Sequence, residues 1–159
     1  MRVKTIEYEN FNNYKEPSMF IGTISCHWKC CIEAGISCSV CQNHEWINSP
    51  IMIIDDMKII NRYMSNMYTN AIVFGGLEPF EQFEEIYNFI ETFREYSMDT
   101  VVIYTGYDKR EILDYVHRLQ NFRNIIIKFG RYIPNSTPIY DELLGVTLIS
   151  NNQHAIKIS

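Results

Sequence analysis

The stretch Met19-Phe-Ile-Gly-Thr-Ile24-Ser-Cys26-His-Trp-Lys-Cys30-Cys31 joins an apolar run to the first thiols of the chain. Short apolar runs rich in β-branched residues predict a buried strand, here Met19 to Ile24, which ends just before Cys26. All five cysteines lie in the sixteen-residue window 26–41, and the rest of the chain has none. The sequence therefore gathers its thiols immediately beyond a predicted strand.

The clustering and the odd number of cysteines favour a soft metal over a disulfide framework, because stabilising disulfides usually close longer loops. Zinc sites commonly use two Cys-x-x-Cys pairs set about 15–20 residues apart. Only Cys38 and Cys41 have that pair spacing, and Cys26-x-x-x-Cys30 lies too close to them. A thioredoxin-like redox pair at Cys38 and Cys41, or thiols that are merely buried, are further alternatives. An iron–sulfur cluster held by three cysteines, with one iron left open to another molecule, accounts best for the window.

Apolar runs alternate with amphipathic segments along the rest of the chain. Further strands are predicted at residues 71–74, 100–105, 124–127, 145–149 and 155–158, and helices at residues 55–67, 83–96 and 109–119. This alternation predicts an α/β fold with a mostly parallel sheet, whose strands end along one edge where ligands bind. The cysteine window, Gly75-Gly76 and Thr105-Gly106 each follow a predicted strand, so we expect them to meet at that edge.

The bulk composition limits the class of protein. A length of 159 residues predicts a single domain over 1–159, and 47% hydrophobic residues are enough for one core. A net charge of −5 gives no reason to expect nucleic-acid binding. No apolar run is long enough to cross a membrane, and the first residues do not form a secretory signal. We therefore expect a cytoplasmic protein with reduced thiols.

Several motifs resemble those of the radical S-adenosylmethionine (SAM) enzymes. They are Cys26-x-x-x-Cys30, Cys41-Gln-Asn43, Gly75-Gly-Leu-Glu-Pro79, Tyr104-Thr-Gly-Tyr107, Lys128-Phe-Gly-Arg-Tyr-Ile133 and Leu144–Gln153. The chain is most similar to the activating protein of anaerobic ribonucleoside-triphosphate reductase, from about Met19 to the end.

The resemblance implies a small partial (β/α) barrel of radical SAM type and two cofactors, a [4Fe–4S] cluster and SAM. In that family one electron cleaves SAM to methionine and a 5′-deoxyadenosyl radical, which takes a hydrogen atom from a glycine of the partner reductase. The implied partners are a glycyl-radical enzyme, the anaerobic ribonucleotide reductase, and a one-electron donor such as flavodoxin. Neither nucleic acid nor a membrane is implied.

The resemblance also implies a ligand set, which we take as Cys26, Cys30 and Cys41. The family spacing is Cys-x-x-x-Cys-x-x-Cys, whereas here ten residues separate Cys30 from Cys41. Cys31 and Cys38 lie in between, and either could replace Cys30. A second departure is Leu77, which is inserted into the usual Gly-Gly-Glu-Pro.

The remaining site residues implied by the resemblance are expected to contact SAM. They are Asn43, Gly75, Gly76, Glu78, Thr105 and Gly106. The two glycines would let the backbone approach the methionine end of SAM, and Glu78 would lie near its amino group. Each also has a plain structural interpretation as a turn or cap residue. The alternative function is a non-catalytic iron–sulfur or zinc protein, an electron carrier or a regulatory partner of the reductase.

Overall fold

Ten β-strands form three sheets in the computed structural model, which describes residues 1–159. The strands are β1 (Arg2–Val3), β2 (Thr5–Asn10), β3 (Ser18–Gly22), β4 (Met52–Ile53), β5 (Ala71–Gly75), β6 (Thr100–Tyr104), β7 (Ile125–Phe129), β8 (Ile139–Asp141), β9 (Val146–Leu148) and β10 (His154–Lys157).

Four α-helices and four short 3-10 helices lie between the strands. The α-helices are α1 (Lys29–Ala34), α2 (Asp56–Met64), α3 (Phe83–Phe93) and α4 (Leu113–Leu119), and the 3-10 helices are Cys38–Val40, His44–Asn48, Pro79–Gln82 and Lys109–Ile112. The three helices predicted from the sequence are confirmed with shifted ends. None of the helices is both long and apolar enough to span a membrane.

The main sheet has six strands in the order β10-β7-β6-β5-β3-β2. The four central strands β3, β5, β6 and β7 are parallel, whereas β2 and β10 pair antiparallel at the two edges. The predicted α/β class and mostly parallel sheet are confirmed. The partial barrel of radical SAM type stays a prediction.

Some strand predictions were incomplete. The strand predicted at residues 145–149 is β9, which pairs with β8 in a separate hairpin instead of joining the main sheet. The sequence analysis missed β2 and the short strands β1, β4 and β8. The sequence Thr5-Ile-Glu-Tyr-Glu-Asn10 carries charges and forms an edge strand, which is stable only because β3 supplies its partner.

The two faces of the sheet are covered by different elements of the chain. Helices α2, α3 and α4 cover one face, where Phe74, Phe89 and Phe93 belong to a cluster of 22 buried side chains. The other face carries a smaller cluster that includes Phe20 and Val73 and packs against the segment around β9. Since full burial of one such side chain contributes about 1.5–3 kcal/mol, the helical face supplies most of the hydrophobic stabilisation. The other face is left partly open.

Backbone pairing beyond the strand ends aligns the loops that follow them. The amide of Thr23 donates to the Gly75 carbonyl across 2.9 Å, and the amide of Thr105 donates to the Lys128 carbonyl across 2.9 Å. Gly22 pairs with Gly75 in the ladder between β3 and β5. The segments that leave β3, β5, β6 and β7 therefore begin at the same level, along one edge of the sheet.

Candidate iron–sulfur site

A cleft of about 840 Å³ opens at the carboxyl ends of the parallel strands. Eight of the nine site residues predicted from the sequence line it: Cys30, Cys41, Asn43, Gly75, Gly76, Glu78, Thr105 and Gly106. The expected convergence of the cysteine window with the two glycine loops is thus observed. Ligands of open parallel sheets bind in this position, just beyond the strand ends.

None of the five cysteines forms a disulfide. Cys30, Cys31 and Cys41 line the cleft, whereas Cys26 is absent from its lining. The Cys26 sulfur accepts a hydrogen bond of 3.3 Å from the Trp28 amide, and this thiol lies close enough to Cys30 to interact electrostatically with it.

Cys31 and Cys38 form a pair of their own in the stretch that the family pattern lacks. Gly35 ends α1 in the left-handed conformation, and the chain then turns back so that the Ile36 amide donates to the Cys31 carbonyl. Cys38 and Cys41 both lie close enough to Cys31 to add to the effect of burial on the pKa of its thiol. Cys31 is 2% exposed, so its thiol is the least accessible of the five.

Desolvation favours the protonated form of three thiols, Cys26, Cys30 and Cys31. Burial raises the pKa of Cys26 to about 12 and that of Cys31 to about 11, and burial also raises the pKa of Cys30. Metal ligation requires thiolates, so a bound cation must displace these protons. Metal binding at this site therefore releases protons and becomes tighter as the pH rises.

The Cys30 thiol is in contact with two separate loops. The backbone amide of Tyr132 donates a hydrogen bond to its sulfur. A Cβ on Gly106 would lie 2.7 Å from the same sulfur atom, so only glycine leaves room beside this thiol. The loops after β6 and β7 therefore both contact Cys30.

Glu78 is a buried carboxyl group at the base of the cleft. Its Oε1 atom accepts from the Thr105 hydroxyl at 2.7 Å, and its Oε2 atom accepts from the Gly106 amide at 2.9 Å. Burial raises the pKa of Glu78 to about 7, against the lowering effect of these donors. Despite the inserted Leu77, Glu78 faces the cleft and joins the loop after β5 to the loop after β6.

Lys128 is a functional candidate that the sequence analysis did not single out. It ends the apolar run of β7, and its ammonium group donates to the Gly130 carbonyl at 3.0 Å. Burial lowers the pKa of Lys128 to about 8, while Cys30 and Glu78 oppose that change. A lysine directly after Ile125-Ile-Ile127 was the available signal, because a buried charge is costly unless it has a partner.

The glycine loop after β5 is packed against Trp46, a second residue that the sequence analysis missed. Gly76 has a φ of +84°, and a Cβ there would lie 2.3 Å from the Trp46 ring. The Asn43 amide donates to the Gly76 carbonyl at 2.5 Å. Asn43 and Trp46 thus hold the end of the cysteine segment against the glycine loop.

The start of the cysteine segment is held by Glu81. Its Oε1 atom accepts from the His27 amide at 2.6 Å and lies 2.9 Å from the His27 ring nitrogen Nδ1. The amide of Glu78 also donates to the Ser25 carbonyl at 2.8 Å. The 3-10 helix after the glycine loop therefore fixes the backbone on either side of Cys26.

Residues 23–153 match the family model of the 4Fe-4S single cluster domain. No curated protein and no solved structure gives a significant match. Because the match spans most of the chain, this protein belongs to the 4Fe-4S single cluster domain family. The expectation of a [4Fe–4S] cluster is thereby supported.

The residues present fit such a cluster better than a single ion. No three of the His, Cys, Asp and Glu side chains surround one metal-ion position. A cubane of four irons needs sulfur ligands spread around a larger volume. Cys30 and Cys41 line a roomy cleft, and Cys26 lies near Cys30. Cys26, Cys30 and Cys41 remain the predicted ligands.

Proposed function

We propose that this protein is a radical SAM activase, which cleaves SAM reductively at a [4Fe–4S] cluster and generates a glycyl radical on a partner enzyme. One observation carries the proposal. The cleft that contains the cysteine thiols is lined at its base by a buried carboxyl group, Glu78, and a buried ammonium group, Lys128. An electron carrier that only holds a cluster has no need of such a cleft.

The two buried groups suit the amino-acid end of SAM, which carries an ammonium group and a carboxylate. Lys128 donates to one carbonyl at 3.0 Å and to the Thr105 carbonyl at only 3.5 Å, so it retains donor capacity for a carboxylate. Glu78 lies in reach of the same molecule and can accept from its amino group. Gly75 and Gly76 line the cleft, so their backbone groups are available to the methionine moiety.

Cys26, Cys30 and Cys41 would hold the cluster, which when bound would supply the electron for reductive cleavage of SAM. The hydrogen atom removed in the reaction would come from a glycine of the partner, which would then carry the glycyl radical, with methionine and 5′-deoxyadenosine as the products. The chain's own residues bind and orient SAM and limit the access of water. The external one-electron reductant would be a protein such as flavodoxin, and the partner an anaerobic ribonucleotide reductase.

A protein substrate suits this cleft. Its lining includes the neutral side chains of Asn12, Asn135 and Ser136, the apolar Val40 and Ile149, and the carboxylate of Glu7. Neutral amides and small apolar groups can accommodate an extended peptide through its backbone groups.

The test begins with anaerobic reconstitution with iron and sulfide, followed by EPR of the reduced protein with and without SAM. A cubane signal that changes on addition of SAM, and 5′-deoxyadenosine released with reductant, are the expected results. A glycyl radical on added reductase would complete the assignment. A cubane signal indifferent to SAM, with no 5′-deoxyadenosine, would contradict the proposal and favour the alternative of an electron carrier or regulatory partner.

A further inference from the structure

Helix α1 carries Cys30, yet little of its own sequence holds it in place. It has six residues, begins after Trp28 without a side-chain cap, and has no acidic residue in its first turn. Its only buried residue is Cys31, and Ile32 is 68% exposed. Isolated helices shorter than about 12 residues are marginal in water, so tertiary contacts must keep α1 in place.

Those contacts are ionic and centre on Arg131. Its guanidinium binds Glu111 in a bidentate pair, with Nη1–Oε2 at 2.6 Å and Nη2–Oε1 at 2.7 Å. Nη2 also donates to Glu33 of α1 at 3.0 Å. Lys29, on the first turn of α1, contacts Glu111 and lies 3.8 Å from Glu33. Two residues of α1 are therefore joined to the loops after β6 and β7.

Arg131 differs from an ordinary surface ion pair in its burial and in the number of its partners. Its side chain is only 13% exposed, and the paired Glu111 strongly raises the pKa of Arg131. Exposed single ion pairs contribute little to stability, whereas bidentate networks of low exposure contribute more. The turn at Gly130, with a φ of +101°, directs the chain so that Arg131 and Tyr132 both face α1.

The same residues surround the Cys30 sulfur. The Tyr132 amide, directly after Arg131, donates to that sulfur. Arg131 Nη1 also donates to the Gly106 carbonyl at 3.3 Å, and Gly106 is the residue packed against the Cys30 sulfur. One guanidinium thus touches both loops that contact the thiol, and it also touches the helix that carries the thiol.

We propose that Arg131 is a positioning residue for Cys30, whose bridge across Glu33 and Glu111 holds α1 at the sheet edge with the thiol against the Tyr132 amide. This inference rests on Cys30 as a cluster ligand and is independent of SAM. Hydrogen bonds to ligand sulfurs influence the reduction potential of a cluster. Arg131 therefore acts on the cluster through the geometry of one ligand, without touching it.

The experiment compares wild type with Arg131→Met, Arg131→Lys and Glu33→Gln in the full chain. The first readout is the amide hydrogen-exchange rate of α1 in the iron-free protein, by peptide mass spectrometry, with α2 as internal reference. Arg131→Met is expected to raise the α1 rate about tenfold, the ratio that corresponds to one lost charge-assisted hydrogen bond. Glu33→Gln, at a half-exposed site on α1, is expected to act in the same direction to a smaller extent.

The second readout uses the reconstituted protein. Arg131→Met is expected to shift the cluster midpoint potential to a more negative value and to alter the EPR line shape, because the hydrogen bond to Cys30 is weakened. Arg131→Lys keeps the positive charge but lacks the planar guanidinium group. Its midpoint potential and EPR line shape are therefore expected to lie between those of Arg131→Met and wild type. The matched control is Arg118→Met, which removes a bidentate pair with Glu84 on the helical face, away from the cleft.

The inference would be overturned by an Arg131→Met protein whose α1 hydrogen exchange, midpoint potential and EPR signal equal those of wild type. Equal changes in Arg118→Met would also overturn it, because the effect would then be general destabilisation. If Arg131→Met fails to fold, Glu33→Gln decides. Faster α1 exchange in that variant supports the positioning role, and an unchanged rate refutes it.

Discussion

The Thr105 hydroxyl donates a 2.7 Å hydrogen bond to Glu78, across the gap between the loops that follow β5 and β6. These residues are 27 positions apart in the chain, and neither is near the cysteines in sequence. Their hydrogen bond nevertheless forms the floor of the cleft in which Cys30 and Cys41 lie. The alignment of the strands therefore creates the site. The expected effects of substitutions in it depend on contacts between separate loops.

The first prediction concerns the cluster ligands. Cys41→Ala is expected to abolish cluster binding, because it removes a thiolate from the cleft, whereas Cys38→Ala is expected to retain the cluster. The measurement is iron and sulfide per chain after anaerobic reconstitution, together with the cubane EPR signal. A full complement of iron in Cys41→Ala would refute the ligand assignment. The same loss in Cys38→Ala would show that the Cys31–Cys38 pair takes part in cluster binding.

The second prediction concerns Lys128. Lys128→Met is expected to weaken SAM binding by about 10- to 100-fold, since a hydrogen bond to a charged group contributes about 1.5–3 kcal/mol. Calorimetric titration of the reconstituted protein with SAM would measure this change. Lys157→Met, at an exposed position on β10, is the matched control and is expected to bind SAM as wild type does. Equal affinities in the two variants would remove Lys128 from the proposed site.

The third prediction concerns pH and Glu78. The pKa of Glu78 is raised to about 7 in the folded chain, above its ordinary value of 4.5. Between these values the folded form holds a proton that the unfolded form releases, so the free energy of unfolding falls as pH rises through this window. Glu78→Gln is expected to remove that fall. In the iron-free chain the variant should gain up to about 3 kcal/mol relative to wild type between pH 4.5 and pH 8.

Denaturant unfolding at several pH values would measure the difference between the two proteins. The control is Glu84→Gln on α3. Arg118 lowers the pKa of Glu84, so this carboxylate makes the free energy of unfolding rise as the pH increases. Glu84→Gln is therefore expected to remove a rise, whereas Glu78→Gln removes a fall. Parallel pH profiles for wild type and Glu78→Gln would contradict the assigned burial of the carboxyl group.

The fourth prediction concerns the glycine loop. Gly76→Ala forces a side chain into the left-handed region and against the Trp46 ring, 2.3 Å from the new Cβ. Gly35→Ala meets the same backbone constraint but no neighbour within 4 Å. The left-handed backbone conformation costs an alanine about 1–2 kcal/mol in both variants. Any further loss of unfolding free energy in Gly76→Ala therefore measures the displacement of Trp46. Unfolding free energies and tryptophan fluorescence would measure it, and identical values in the two variants would contradict the packing described.

The sequence alone determined which segments become buried strands and helices, and which residue types gather after the strands. Apolar runs such as Ala71-Ile-Val-Phe74 have few other ways to leave water, so local pattern was sufficient there. The cysteines indicated soft-metal chemistry because all five lie within one short window of the chain, so the pattern is visible without the fold. The charged edge strand β2 and the strand β8 escaped prediction, since each is stabilised by pairing with another strand, β3 and β9 respectively.

Only the tertiary structure decided the surroundings of the site. The burial of Lys128, the packing of Trp46 under Gly76 and the bridge from Arg131 to α1 all join segments far apart in the chain. No local pattern encodes them, because a lysine or arginine after a strand is equally compatible with a solvated position. The parallel register of β3, β5, β6 and β7 brings these groups to one edge, where burial and electrostatic pairing give ordinary residues their special roles.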